Sequence, residues 1–312
     1  MTRRILIASP NLSLDRTIAV ESVALGRVHR SMISDARGGG KGVNVARALG
    51  CIGFGATVVG LAGGRTGDAV VGLLQDEGID TVAVRCDGET RSCLTVLATA
   101  ERITVFNESG PAVSSEEWDA FHAEVEARVD PDTLFVCSGS FPPEAPDDGA
   151  ARLIDAARRK GCFTICDTSR AQLANVLGAR PDIVTPNLAE ARTVLEGSTE
   201  ERIDEEGDAL ESAAAAAEAL TQHGPKAALV TAGRAGAAVA CNGDTMSWRA
   251  FPVSVLNPVG AGDCVVAGLA SGIVSGQDLG AAAYRGLAMA AASCETFAAG
   301  LLDRHRYEEL LA

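Results

Sequence analysis

The stretch of this chain best suited to chemistry is a run of small residues that ends in an acid: Gly260, Ala261, Gly262 and Asp263. A β-rich segment at 251–256 and a proline precede it, and an apolar run at 264–274 that predicts a helix follows. Free N–H groups at a helix N-terminus attract anions such as phosphate. Asp263 could then take a proton from a nucleophile arriving at that phosphate. A glycine turn capped by Asp263 explains the stretch equally well, so the residues alone leave both interpretations open.

A second glycine-rich stretch, Gly-Gly-Gly-Lys-Gly at 38–42, leads into an amphipathic helix that begins at residue 43. The phosphate-binding loop of P-loop enzymes requires Ser or Thr directly after its lysine, but here Gly42 follows Lys41. The stretch 63–68 fails the same test. Neither glycine-rich stretch therefore predicts a P-loop.

Strands and helices alternate from residue 133 onward. The pattern predicts strands at 134–137, 162–166, 182–184 and 227–230, and helices at 146–159, 188–195 and 208–222. Such alternation is typical of an α/β fold with a doubly wound, mostly parallel sheet flanked by helices. Polar residues or glycines follow the strands, where open parallel sheets bind ligands: Ser138, Asp167, Asn187 and Gly233.

The first third of the chain departs from this rhythm. Strands at 4–8 and 56–61 and a helix at 68–77 fit the main sheet. Short, partly alternating strands are predicted at 17–23 and 28–36, further strands at 79–84, 92–99 and 102–107, and a helix at 114–128. No linker separates the segments, so we expect a single domain over 1–312 whose segments 15–36 and 85–107 form a small β-sheet lid.

Composition limits the classes of function. The net charge is −14 and no run of Lys and Arg occurs, which argues against nucleic acid and anionic membranes as partners. The nine cysteines include no C-x-x-C, and four histidines form no metal-binding pattern. With no signal peptide or membrane span in the sequence, we expect reduced thiols in a cytoplasmic enzyme.

Paired motifs near the two ends of the chain, at 39–46 and 260–263, resemble those of the ribokinase-like (PfkB) sugar kinases. Intermediate motifs are similar too: 11–15, 138–142, Pro186-Asn187-x-x-Glu190 and Thr231-x-Gly233-x-x-Gly236. The resemblance covers nearly the whole chain. The stretches 88–93 and 107–111 look most like the hexose-phosphate branch, which contains 1-phosphofructokinase, tagatose-6-phosphate kinase and the minor 6-phosphofructokinase.

The resemblance implies a role for each matching residue at the sugar. Asp263 would be the base, and the N–H groups of Gly260, Ala261 and Gly262 would stabilise the transferred phosphoryl group. The sugar hydroxyls would be held by four residues: Asp15, Gly39, Gly40 and Asn44. Arg91 would mark a phosphorylated substrate, since guanidinium binds phosphate in a bidentate manner. Further substrate contacts are expected from Lys41, Arg27, Arg102 and Ser138.

The same resemblance implies ATP and Mg²⁺ as cofactors. Asn187 and Glu190 would orient magnesium through water, although they also match a helix N-cap pair. The nucleotide would lie against Asn187, Thr231, Gly233, Gly236 and Gly262. Two departures from the family bear on the nucleotide: Thr185 replaces a usual lysine, and no Asn follows Asn257 near the adenine pocket, where Ser293 or Cys294 could line the wall.

The resulting expectation is an ATP-dependent kinase of a hexose phosphate, with fructose-1-phosphate converted to fructose-1,6-bisphosphate. Tagatose-6-phosphate and fructose-6-phosphate are close alternatives. Two further alternatives remain: a kinase of an unphosphorylated sugar or nucleoside, and a sugar-phosphate sensor without catalysis. The lid often serves as a dimer interface in the family, so a homodimer through the lid is also expected.

Overall fold

A computed structural model describes residues 4–98, 103–197 and 208–312. Its strands are β1 (Arg4–Ser9), β2 (Ser13–Val20), β3 (Ile33–Gly39), β4 (Thr57–Gly63), β5 (Asp80–Cys86), β6 (Arg91–Ala98), β7 (Ile103–Asn107), β8 (Thr133–Ser138), β9 (Phe163–Asp167), β10 (Ile183–Val184), β11 (Ala227–Thr231), β12 (Ala237–Cys241) and β13 (Asp244–Trp248). Its helices are α1 (Lys41–Cys51), α2 (Gly64–Asp76), α3 (Ser115–Glu126), α4 (Gly149–Arg159), α5 (Arg170–Gly178), α6 (Leu188–Glu196), α7 (Ala209–Thr221), α8 (Ala261–Val274), α9 (Leu279–Cys294) and α10 (Arg304–Leu311). Within these ranges, none of the helices combines the length and apolar character that crossing a membrane requires.

The large sheet confirms the predicted α/β fold. Its strands follow the order β13-β12-β11-β10-β9-β8-β1-β4-β5, and all neighbours from β11 to β5 are parallel. Only β12 and β13, at one edge of the described sheet, run antiparallel to their neighbours. The sheet is thus mostly parallel, with the carboxyl ends of its parallel strands on one side.

Helices cover both faces of this sheet, which is why its central strands are apolar on both sides. In β1, Ile5 and Ile7 pack into one core cluster with residues of α1, α8 and α9. Leu6 and Ala8, which point the other way, pack into a second cluster with residues of α3, α4 and α7. The alternation along a single strand therefore fixes that strand between two cores.

Helix α8 is buried along most of its length, from Asp263 to Gly272. It packs tightly against α9 because glycines stand at the crossing. A Cβ added to Gly268 would lie 2.3 Å from the Gly286 Cα atom, and one added to Gly286 would lie 2.6 Å from the Val265 carbonyl oxygen. Small residues in both helices thus let the two backbones approach closely.

A second, four-stranded sheet has the order β3-β2-β6-β7. Strand β2 is antiparallel to β3 and parallel to β6, and β6 is antiparallel to β7. A small separate sheet in this part of the chain was predicted, but its bounds differ. The predicted segments 15–36 and 85–107 correspond to strands at 13–20, 33–39, 91–98 and 103–107, and residues 21–32 form no strand.

Several local predictions were wrong or incomplete. Residues 251–256, expected to be β-rich, form no strand. The two strands predicted at 17–23 and 28–36 lie at 13–20 and 33–39 instead. Helices α5 and α10 and strands β12 and β13 were not predicted. Strand β12 reads Ala-Ala-Val-Ala-Cys, and its alanines favour helix in isolation, so only pairing with β11 and β13 makes it a strand.

Candidate active site

A cavity of about 1390 Å³ opens where the carboxyl ends of the parallel strands meet the small sheet. Most of the sequence-predicted site residues line it: Asp15, Gly40, Lys41, Asn44, Arg91, Asn187, Glu190, Thr231, Gly233, Gly260, Ala261, Gly262 and Asp263. These residues come from both sheets and from loops more than 200 residues apart in sequence. The fold therefore brings the motifs near residues 15–44 and 260–263 together at one cavity.

Gly260, Ala261 and Gly262 lie at the start of α8, and their role in binding an anion stays a prediction. Gly260 is the N-cap and has a left-handed backbone, with φ of 84°. Asn257 holds the preceding turn, since its Oδ1 accepts the Val259 N–H at 3.0 Å and its Nδ2 donates to the Phe297 carbonyl at 2.9 Å. The Ala261 N–H donates to the Pro258 carbonyl at 3.2 Å. One of the three predicted anion-binding donors therefore already has a protein acceptor.

Asp263 lies in the first turn of α8 and is only 5% exposed. Asn44 Nδ2 donates to its Oδ2 at 2.8 Å. Burial, and then the nearby Asp167 carboxylate, raise the pKa of Asp263 to about 7, against the opposing effects of Lys41 and Asn44. A carboxyl that titrates near neutral pH has the proton affinity suited to a general base.

Asn44 is itself held by Arg47, one turn further along α1. Arg47 Nη1 donates to Asn44 Oδ1 at 2.9 Å, and Arg47 is 5% exposed. The guanidinium also contacts both carboxylate oxygens of Glu77, at 2.6 and 3.1 Å. Sequence reasoning missed Arg47, and its spacing three residues after Asn44 on a predicted helix was the one available signal.

Lys41 lies between carboxylates. Its Nζ is 3.5 Å from Asp167 Oδ1 and 3.9 Å from Glu190 Oε1. Burial by itself would lower the pKa of Lys41, but Asp167, Glu190 and Asp263 together raise it above its ordinary value. The lysine is therefore positively charged in the cavity lining at neutral pH.

Ser138, predicted to contact the substrate, lies beneath the cavity. It is fully buried, and its Oγ donates to Asp167 Oδ2 at 3.0 Å. The Gly139 N–H donates to the Asp167 backbone carbonyl at 2.9 Å. In this structure Ser138 therefore supports Asp167, which in turn contacts Lys41.

The small sheet presents Asp15 to the cavity. Ser13 Oγ donates to Asp15 Oδ1 at 2.6 Å. A Cβ added to Gly39 would lie 2.1 Å from the Asp15 Cγ atom, so the glycine leaves the space that this carboxylate occupies. Gly39 does not line the cavity, whereas the next residue, Gly40, does. Arg37 is the backbone partner of Asp15 on β3 and also lines the cavity.

Arg91 begins β6 at the cavity wall. Its Nη2 and Nε donate to the Asn11 carbonyl at 3.1 and 3.3 Å, and its Nη1 donates to the Glu108 carbonyl at 3.4 Å. These contacts with uncharged carbonyls fix the guanidinium without neutralising it. Arg27, in contrast, is exposed in the 21–32 segment and is not part of the cavity lining, and Arg102 lies outside the described residues.

Asn187 and Glu190 form a capping box at the start of α6. Asn187 Oδ1 accepts the Glu190 N–H at 2.9 Å, and Glu190 Oε2 accepts the Asn187 N–H at 2.9 Å. Glu190 Oε1 faces Lys41, and both residues line the cavity. Among the described residues, no three acids, histidines or cysteines cluster as metal ligands. This donor set fits an ion that keeps its water, as Mg²⁺ does, rather than a full protein cage.

The two glycines of the 231–236 loop have different environments. Gly233 lines the cavity, and a Cβ there would meet nothing within 4 Å. Gly236 does not line it, and a Cβ there would lie 1.9 Å from the Trp248 carbonyl oxygen. Gly236 is therefore required for packing against β13.

Cys294 and Thr185, the residues at the two departures from the family pattern, both line the cavity. Burial raises the pKa of the Cys294 thiol above its ordinary value, so the thiol is neutral. Ser293 is buried instead and donates from its Oγ to the Ala290 carbonyl at 2.8 Å. Of the two residues considered for this wall, only Cys294 faces the cavity.

The mostly parallel sheet flanked by helices and the second small sheet match the ribokinase-like fold. A sequence profile of the pfkB family carbohydrate kinases matches residues 12–304. This chain belongs to the pfkB family. It is therefore a sugar kinase, a phosphotransferase with an alcohol group as acceptor.

Solved structures agree with this assignment. Phosphofructokinase-2 from Escherichia coli, in complex with fructose-6-phosphate, is 26% identical with a TM-score of 0.87, covering 99% of this chain and 100% of that chain. A possible 1-phosphofructokinase from Thermotoga maritima is 25% identical with a TM-score of 0.85, covering 98% and 97%. Arabidopsis thaliana ribokinase, complexed with ribose and ATP, is 20% identical with a TM-score of 0.73, covering 100% and 99%, and shows the shared fold.

Proposed function

We propose that this enzyme is an ATP-dependent kinase of a hexose phosphate, with fructose-1-phosphate as the favoured substrate and fructose-1,6-bisphosphate as the product. The observation that carries the proposal is the presence of Arg91 and Asp263 in one cavity. Within the described part of the chain, the hydrogen bonds of the Arg91 guanidinium go to carbonyl groups, so its charge remains available for a phosphate, and a neutral sugar has no need of it. The phosphofructokinases among the similar structures support the same substrate class.

At the sugar end of the cavity, which we define by Asp15, Asn44, Arg91 and Asp263, the substrate would be positioned for attack. Asp15 accepts hydrogen bonds from sugar hydroxyls, and Arg91 binds the phosphate already present. Asp263 accepts the proton of the attacking hydroxyl. The Gly262 N–H and the start of α8 stabilise charge on the transferred phosphoryl group.

We define the nucleotide end of the cavity by Thr231, Gly233, Arg234 and Cys294. There ATP would contact backbone groups and solvent-exposed side chains. Glu190 and Asn187 would hold hydrated Mg²⁺, which neutralises charge on the ATP phosphates when bound. Lys41 lies beside Glu190 and would contact the same phosphates. Arg170 and Arg234 line the cavity and would supply cationic charge where Thr185 provides none.

Fructose-6-phosphate is a second candidate substrate because the Escherichia coli enzyme that resembles this chain was solved with that sugar. Tagatose-6-phosphate is a third. The three differ in which end of the sugar carries the phosphate and in the orientation of one hydroxyl. A coupled ADP-release assay with Mg–ATP tests them against fructose and ribose, and the highest kcat/KM identifies the substrate.

The role of Arg91 is tested by Arg91→Ala, which we expect to lower kcat/KM for the phosphohexose more than tenfold, roughly the effect of losing a charge-assisted bidentate pair. Arg16→Ala is the matched control, because Arg16 is exposed on β2 and points away from Asp15. A neutral sugar as the best substrate would contradict the substrate class. Normal sugar-phosphate binding without any turnover would indicate a sensor.

Self-association through the small sheet is a further part of the proposal. Large apolar side chains are exposed on the 21–32 segment and on the two edge strands of the small sheet, β3 and β7: Leu25, Val28, Met32, Ile33 and Phe106. Exposed apolar side chains of this size favour a partner, and a second copy of this chain fits the symmetry of most oligomers. Light scattering tests this by comparing the molar mass of the wild type with that of Leu25→Asp, which we expect to be smaller. A wild type that is monomeric, with the same mass as the variant, would contradict the proposal.

A further inference from the structure

We propose that Arg47 is a positioning residue that acts through Asn44 to hold the base Asp263 in its reactive orientation. The inference rests on the proposed role of Asp263. Arg47 has no direct contact with Asp263 among the described hydrogen bonds, and it does not need one. Arg47 fixes the side chain of Asn44, and Asn44 contacts Asp263.

The hydrogen bonds around Arg47 hold its guanidinium group in one orientation. Its guanidinium donates to the Gly38 carbonyl on β3 at 2.5 Å and to the Ala299 carbonyl at 3.4 Å. Glu77, at the end of α2, accepts from both Nε and Nη2. Four separate segments of the chain therefore meet at one buried side chain. The Ala299 segment also lies against the start of α8, since a Cβ on Gly260 would lie 3.0 Å from the Ala299 Cβ.

The chemistry of the guanidinium determines the orientation of the Asn44 amide. Arginine can only donate hydrogen bonds, so the Asn44 atom that faces it must be the oxygen. The NH₂ group of Asn44 must then face Asp263. The two ends of an amide are otherwise interchangeable in shape, and without Arg47 the group could rotate by half a turn.

This orientation matters for proton transfer. Asn44 occupies Asp263 Oδ2 as a donor, which favours the ionised carboxylate and leaves Oδ1 to accept the substrate proton. A rotated amide would present its oxygen to Asp263 and would favour the protonated acid. The other charged groups around Asp263 are Lys41, Asp167 and Asp15. Among the described contacts, none of these three groups touches Arg47, and the hydrogen-bonded route from Arg47 to the base runs through Asn44.

The test compares two variants that both lack the Arg47–Glu77 ion pair. Glu77→Gln removes the charge of the partner but keeps the donor to Asn44. The double variant Arg47→Met/Glu77→Gln also removes the donor and avoids an unpaired carboxylate. We expect kcat to fall about tenfold or more only in the double variant, with the acid limb of the kcat profile moving up by about 0.5–1 pH unit. KM for ATP should not change in either.

A direct measurement separates this inference from the identity of the substrate. The pKa of Asp263 can be followed by the ¹³C carboxyl shift of labelled aspartate, assigned with Asp263→Asn, and this needs no turnover. We expect that pKa to rise in the double variant and to stay within about 0.2 unit of the wild-type pKa in Glu77→Gln. If the double variant does not fold, Arg47→Lys serves instead, because Glu77 would hold its single ammonium group away from Asn44.

An unchanged Asp263 pKa and an unchanged kcat in a folded Arg47 variant would overturn the proposal and leave Arg47 as a structural residue. A second comparison uses Asn44→Ala as the background. There the Arg47 and Glu77 substitutions should change kcat by less than about twofold, because the side chain through which they act is missing. An effect of the same size in both backgrounds would also overturn the proposal. If no sugar is phosphorylated at all, the proposed function fails, whereas the pKa comparison still gives an answer.

Discussion

The two ends of the cavity are built in different ways. At the sugar end, carboxylates are held by side chains: Ser13 on Asp15, and Asn44 backed by Arg47 on Asp263. At the nucleotide end, Asn187 and Glu190 hold each other, but Gly233 has no side chain and Arg234 is exposed. Proton transfer requires a fixed distance and direction, whereas a nucleotide can be bound by backbone and by charge at longer range. We therefore expect substitutions at the sugar end to have the larger effects.

The largest effect is expected for Asp263→Asn, which should lower kcat by roughly 10²–10⁴-fold. Burial raises the pKa of Asp263 from the ordinary value of 3.8 to about 7. At pH 8 the carboxylate is ionised in both states, and holding it ionised in the folded protein lowers the free energy of unfolding. The neutral amide removes this cost. Thermal unfolding at pH 8 should accordingly show a Tm no lower than that of the wild type. A lower Tm together with lost activity would indicate damage to the fold instead.

The next effect concerns pH. With a pKa of about 7, Asp263 is mostly ionised at pH 8 and mostly protonated at pH 6, and only the ionised form accepts a proton. We expect kcat/KM for the sugar to fall about tenfold between these pH values. The dissociation constant of Mg–ATP should change less than about twofold, because the Cys294 thiol stays neutral over this range. Equal pH dependence of both quantities would show that the base is not what titrates.

Replacing one glycine by alanine at each end of the cavity should also distinguish the sugar end from the nucleotide end. Gly39→Ala would place a Cβ 2.1 Å from the Asp15 carboxyl carbon, so we expect a loss of about 1–3 kcal/mol in the free energy of unfolding and a raised KM for the sugar. Gly233→Ala meets open space, with only the strain of a positive φ of 53°, about 1 kcal/mol. Urea unfolding and KM measurements compare the two. A larger loss for Gly233→Ala would reverse the proposed difference.

The smallest effect is expected at exposed arginines. Arg234→Ala should raise KM for ATP about threefold and leave kcat unchanged, since a solvated charge contributes little. Arg27→Ala is its control, because Arg27 is exposed and does not line the cavity, and all its kinetic constants should stay within about twofold. An effect on the sugar KM in Arg27→Ala would show that the 21–32 segment reaches the substrate.

Much of the fold could be predicted because alternating apolar strands and helices follow from local sequence. The meeting of motifs at the strand ends follows from that alternation as well. Contacts between distant segments could not be predicted in the same way. The hydrogen bond between Asn44 and Asp263 joins residues 219 positions apart, and no local pattern encodes it.

Residue type alone also gave incomplete answers within the site. Ser138 follows a strand as a ligand contact would, yet its hydroxyl is turned inward to Asp167. Gly236 looks like part of a nucleotide loop, but the Trp248 carbonyl requires a glycine there. In both cases the direction of a side chain, or the space beside it, decides the role. Those properties arise from packing between elements rather than from spacing along the chain.

The burial of α8 has a consequence for how the enzyme loses its active site. Asp263 stands at the start of a helix whose residues are buried as far as Gly272, between the sheet and α9. Exposing its amides to exchange with deuterium requires opening of the core, whereas the edges of the small sheet can exchange by local fraying. The slowest-exchanging amides should therefore include those from Val265 to Ser271, and heating should abolish catalysis only as the whole core unfolds.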